Sequence, residues 1–147
     1  MIIIGLILWI CLIFLMSSDM DSNSKTIMMS EEIYRLLSGF AHGANSGLFS
    51  ADQIDFLLRK GGHFLEYLVL CLLLLKIREV YMLESKLSVT LILLICLLIA
   101  NLDEFRQSFI IGRTSMVGDS LIDFAGSLTG LLIHSVRRGR AVKKENR

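Results

Sequence analysis

The sequence predicts an all-α, polytopic integral membrane protein: a bundle of four transmembrane helices, with short interfacial helices in the first external loop. Three observations predict it. Hydrophobic residues make up 54% of the 147, above the roughly 45–50% of soluble chains even when Gly is counted there. The apolar residues come in blocks rather than in stripes. There is no proline, so nothing in the chain forces a helix to kink or stop.

The first block, Ile2 to Met16, is apolar apart from Gly5. No Lys or Arg precedes it and no small-x-small cleavage site follows, as a signal peptide would need. Met16-Ser17-Ser18-Asp19 reads as an exit into water, so an uncleaved span over 2–18 is expected. The second block, Phe64 to Leu75, is broken only by Glu66 and predicts a span over 62–78. The third, Leu87 to Leu102, carries Ser88, Thr90 and Asn101 and predicts 86–102. The fourth, Leu121 to Val136, mixes Asp123, Ser127, Thr129, His134 and Ser135 with Leu, Ile and Gly and predicts 119–136. A helix needs about 20 mostly apolar residues to cross a bilayer, and these blocks reach that only with their polar ends. The whole chain, 1–147, reads as one domain with a basic tail over 137–147.

Four spans put both termini on one side. The tail holds Arg137, Arg138, Arg140, Lys143, Lys144 and Arg147, and the 76–86 loop holds Lys76, Arg78 and Lys86. Basic residues favour the cytoplasmic side, so both segments are expected there and both termini with them. Two segments are then external. In the longer one, Ile33, Leu36, Leu37 and Phe40 recur on one helix face, with Glu31 and Glu32 where a helix N-terminus favours acids. His42 to Gly47 reads as a turn. Ser50-x-x-Gln53 is a capping box that opens a second short helix towards Leu58. Cys11, Cys71 and Cys96 all fall in apolar blocks and read as small buried hydrophobes. A net charge of +1 makes no case for nucleic acid.

Two polar patches do not belong in lipid. One is Arg59-Lys60-Gly61-Gly62-His63-Phe64-Leu65-Glu66-Tyr67 at the outer start of the second span. On a helix, Lys60, His63 and Tyr67 share a face and Glu66 lies beside His63. The glycine pair lets a neighbouring backbone come close or loosens the helix start. The other patch runs from Asp103 through Glu104, Arg106 and Gln107 to Arg113, and on to Asp119 and Asp123. Asp119, Asp123, Gly126, Gly130 and His134 form one stripe. Gly126-x-x-x-Gly130 is a small-residue contact face, so Asp123 is expected to point into the bundle. The topology set by the basic segments then brings His63, Glu66, Asp103, Glu104, Arg113, Asp119 and Asp123 to the outer end. A charge within a span costs about 2.5–3.5 kcal/mol, which pairing offsets. Arg113 and Lys60 are the available cations for Asp119, Asp123 and Glu66; Arg113 is expected to bridge the acids and Glu66 to hold His63. No ligand spacing is diagnostic of a metal, and no cofactor motif is present.

At these residues the chain resembles the VanZ-like family of bacterial membrane proteins. The family pairs a Lys-x-x-His-Phe-x-Glu-Tyr segment, here Lys60 to Tyr67, with an Asp-Glu-x-x-Gln-x-Phe-x-x-Gly-Arg segment, here Asp103 to Arg113. Asp119, Gly126 and Gly130 follow, and Ser17-Ser18 after the first span also matches. Ile111 stands where relatives often have Pro, and Asp123 where they often have Asn. The resemblance implies a role at the cell membrane, linked in the founding member to low-level teicoplanin resistance. Some relatives carry a phosphotransbutyrylase label, for which no nucleotide- or acyl-carrier-binding feature appears here.

Three functions compete. The chain is a non-enzymatic envelope protein that binds membrane lipid, a lipid-linked wall precursor or a lipoglycopeptide through Lys60, Tyr67, Asp103, Glu104, Gln107 and Arg113. Or it is a membrane enzyme on a lipid-linked substrate, with His63 as general acid or base, oriented by Glu66, and Asp119 or Asp123 as a second carboxylate. Or the polar network is a scaffold that locks the bundle. Four short spans leave little room for a transport pathway unless copies of the chain assemble into a homo-oligomer.

Overall fold

The structure is a computed structural model that describes residues 1–18, 22–40, 50–82, 85–110 and 117–145. The described residues form five helices and no strand: α1 (Ile2–Ser18), α2 (Ser22–Phe40), α3 (Ala51–Val80), α4 (Lys86–Gln107) and α5 (Val117–Glu145). The expected turn at His42 to Gly47 lies outside the described residues, as does Arg113.

The capping box at Ser50 is present. Its side chain accepts from the Gln53 amide, and the Gln53 side chain accepts from the Ser50 amide at 2.9 Å. The helix it opens does not stop near Leu58. It runs on through Gly61 and Gly62 into the apolar block, so the expected short helix and the second span are one helix of 30 residues. Each glycine costs about 1 kcal/mol against Ala, yet with no Pro to remove a hydrogen bond the ladder continues. Among the described residues nothing lies within 4 Å of a Cβ built at Gly61 or Gly62. A short turn ends α3, with Met82 at φ 51°, and Ser85 caps α4 by accepting from the Ser88 amide at 3.1 Å.

Cross-helix contacts fix the directions. Gln107 meets Ser17 and Arg106 meets Phe14, so α1 and α4 run side by side in the same sense. His63 meets Asp123 and Glu79 meets His134, so α3 and α5 also run parallel. The Arg78–Ser88 bond across the turn sets α4 antiparallel to α3. Helices α1, α3, α4 and α5 therefore alternate in direction along the chain, with α2 packed against α3. The closest approach is at Gly126 and Gly130, where a Cβ would meet the Phe64 and Leu68 carbonyl oxygens of α3.

The buried apolar core is small: Ile13, Tyr67, Leu70, Cys71, Leu75, Ile92, Cys96 and Ala100. Cys71 and Cys96 are buried as expected, while Cys11 is exposed. Much of the remaining apolar surface faces outward. Leu87–Gln107 is long and apolar enough to cross a membrane, with a mean hydropathy of 2.0, and only 28% of it is buried. Leu91, Leu94, Ile95, Leu98 and Leu102 are exposed along it. Ile2–Ser17 is apolar but shorter. Within α3 and α5 the charged residues interrupt the apolar runs.

Candidate functional site

One end of the bundle is polar inside. Asp103, Glu104, Gln107, Asp119, Ser120, Asp123 and Ser127 are all buried there. They come from α4 and α5, and α3 brings Lys60, His63 and Tyr67 to meet them. The sequence grouped these residues correctly at one end. Of the pairings it suggested, Lys60 with Asp119 is present, the partner of His63 differs, and those of Arg113 lie outside the described residues.

His63 is not held by Glu66. Its Nδ1 lies 3.3 Å from Asp123 Oδ1 on α5. The expectation used the neighbour on the same helix turn. The glycine face of α5 overrides it, because contact at Gly126 sets the α5 backbone directly on α3 and brings Asp123 opposite His63. Glu66 instead presents its backbone carbonyl, which accepts from Trp9 Nε1 at 3.0 Å. One turn before His63, Lys60 is ion-paired with Asp119, and its ammonium lies 5.5 Å from the Phe56 ring centroid. The two cross-helix pairs thus repeat at the spacing of a helical turn on both helices.

A second set of contacts seals α1 to α4. The Gln107 amide nitrogen donates to Asp103 Oδ2 at 2.7 Å and to Ser17 Oγ at 2.8 Å. Arg106 donates to Asp103 Oδ1 at 3.2 Å and to the Phe14 carbonyl at 2.7 Å. Its guanidinium also lies against the Phe14 ring. Arg106, part of the second polar patch, joins two helices here. Trp9, Ser120 and Ser127 were not singled out by the sequence at all. Ser127 is one turn beyond Asp123 on the glycine stripe, the signal that could have found it.

Asp123 has no solvent exposure, and among the described residues neither of its carboxylate oxygens receives a hydrogen bond. Its contact with His63 is close enough for an ion pair but off the line of a hydrogen bond. The Tyr67 hydroxyl is likewise buried without a hydrogen bond among the described residues. Native proteins satisfy the large majority of such groups, and exceptions concentrate where strain or chemistry requires them. A ring nitrogen of His63 and carboxylate oxygens of Glu104 and Asp119 also lie within 4.8 Å of one another. Three donors from three helices match the ligand count and type of an open catalytic cation site. The Lys60 ammonium on Asp119 competes with a cation there.

Among the described residues one helix is long and apolar enough to cross a membrane, and that helix and the outward apolar surface fit a membrane protein. The chain belongs to the VanZ/LLP1 family, whose sequence profile matches residues 2–138. Comparison with curated proteins and with solved structures gives no match.

Proposed function

We propose that this chain is a multi-pass protein of the bacterial cell membrane that acts at the envelope through the buried polar cluster, placed at the outer leaflet. It binds the polar head of a lipid-linked wall precursor or a lipoglycopeptide and so influences susceptibility to glycopeptides such as teicoplanin. The observation that carries this reading is Asp123: fully buried, beside His63, and without a hydrogen bond among the described residues. A residue serving only as bundle glue would have its lone pairs used. Alternating helix directions and the basic ends of α3 and α5 favour four spans, with the tail and the 76–86 turn inside. Helices α3 and α5 then cross with Lys60, His63 and Glu79 facing Asp119, Asp123 and His134, which offsets part of the insertion cost.

The test is a deletion strain complemented with wild type, His63→Ala or Asp123→Ala, with membrane levels matched. Wild type raises teicoplanin tolerance and the two variants do not. Equal tolerance in all strains, or full tolerance in the variants, contradicts the reading.

The convergence of His63, Glu104 and Asp119 favours a second reading, a membrane enzyme acting on a lipid-linked substrate. His63 would move the proton, with Asp123 at its Nδ1 fixing the tautomer. Lipid profiles then differ between wild type and His63→Ala, with a substrate accumulating in the variant. An unchanged profile in both the variant and the deletion strain rules the enzyme out.

A further inference from the structure

The end of the bundle away from the polar cluster holds a cleft of about 400 Å³ between α3, α4 and α5. Its floor is apolar, made by Leu75, Val89 and Leu131, and its rim carries Arg78, His134 and Arg138. We propose that this cleft binds an anionic phospholipid, with the phosphate between Arg78 and Arg138 and an acyl chain along the apolar floor.

The rim is built for it. Arg78 is half-buried and donates through Nε to Ser88 Oγ at 2.6 Å. That bond fixes the guanidinium without using the paired terminal nitrogens that grip a phosphate bidentately. Among the described residues Glu79, next to the cleft, takes His134 on one oxygen and Lys76 on the other, both at 2.9 Å. Arg137 and Arg140 flank Arg138 on α5 and raise the local positive potential. The floor argues for a lipid over a soluble phosphate, since an ion alone would leave the part-exposed Val89 and Leu131 wetted. Exposed Val80, Leu87 and Leu132 continue the apolar surface near the cleft, as a bound chain packed among other lipids requires. Basic pockets between helices at a membrane face hold lipid headgroups in this way. Nothing in the polar cluster at the other end is involved.

The inference rests on the membrane-spanning reading, and one experiment separates the two. Membranes bearing the full chain are first washed with alkaline carbonate. The retained protein is purified in detergent, offered phosphatidylglycerol or phosphatidylcholine, and scored for bound lipid by native mass spectrometry. Wild type retains phosphatidylglycerol preferentially, and excess inorganic phosphate does not displace it. At roughly 1 kcal/mol for each arginine, Arg78→Gln with Arg138→Gln lowers that retention about 30-fold. Retention of phosphatidylcholine stays unchanged. Equal retention of the two lipids, insensitivity to the double substitution, or displacement by inorganic phosphate overturns the cleft while leaving the spans intact. Release of the chain by carbonate overturns both.

Discussion

Substituting Gly126→Ala adds a single methyl group at the tightest point of the fold. The new Cβ would lie 2.2 Å from the Phe64 carbonyl oxygen, 3.0 Å from its carbon and 3.3 Å from the Leu68 nitrogen. Ordinary contact begins near 3.4 Å. All three atoms are α3 backbone, so no rotamer change relieves the clash, and the two helices must separate by about 1 Å. Overpacking of this kind costs about 1–3 kcal/mol, and so short a backbone contact belongs at the upper end. The better helix propensity of Ala returns about 1 kcal/mol, which leaves a net loss of about 2 kcal/mol. Gly139→Ala on the same helix meets nothing within 4 Å and should gain up to about 1 kcal/mol. The chain has one tryptophan, and its indole bonds to the Glu66 carbonyl, so Trp9 fluorescence reports docking of α1 on α3. Reversible unfolding in mixed micelles, read by that signal, measures both variants. Gly126→Ala as stable as wild type would refute the close α3–α5 crossing, and with it the His63–Asp123 pair.

Three other outcomes are expected. Lys60→Met leaves Asp119 nearly buried without its cation, at a cost of roughly 3 kcal/mol. Adding Asp119→Leu recovers much of that in the same unfolding assay, whereas additive losses would show that the pair does not interact. Ser50→Ala removes the capping box and costs about 1 kcal/mol; an unchanged unfolding midpoint contradicts a helix that starts there. Lys76, and after it His134, hold the Glu79 carboxyl below its ordinary value of 4.5. A depressed acid contributes stability above its unfolded pKa and loses it as pH falls through the lower folded value. Thermal stability should therefore drop in that window below 4.5, and Glu79→Gln should flatten the drop; an identical pH profile in the variant speaks against the contact.

The helices were largely legible in the sequence because apolar blocks and caps are local signals. The expected span 2–18 coincides with α1, and 86–102 lies inside α4. Their ends were harder to read. Helix α4 continues past Leu102 because Asp103, Arg106 and Gln107 find partners on α1 and one another, contacts that a hydropathy window cannot register. Helix α5 continues to Glu145 because its tail is rich in Arg and Lys, which favour helix wherever water is present. Grouping of the site residues was legible from topology. The partner of His63 was not, since it depends on which helix the glycine stripe of α5 meets and in what register. Gly126-x-x-x-Gly130 announced a close contact without naming α3 as the partner. The glycine pair at 61 and 62 suggested a close contact or a loosened helix start; among the described residues no atom comes close there and the helix runs through it.

The central claim is that the buried polar cluster faces out of the cell on a multi-pass protein. Cysteine accessibility tests it most directly. In a chain with Cys11, Cys71 and Cys96 replaced by Ala, Ser108→Cys marks the polar end and Arg140→Cys the opposite one; both positions are exposed. A membrane-impermeant maleimide should label Ser108→Cys in intact cells and Arg140→Cys only after the membrane is opened. Labelling of both from the same side, or of Arg140→Cys alone in intact cells, would contradict the account.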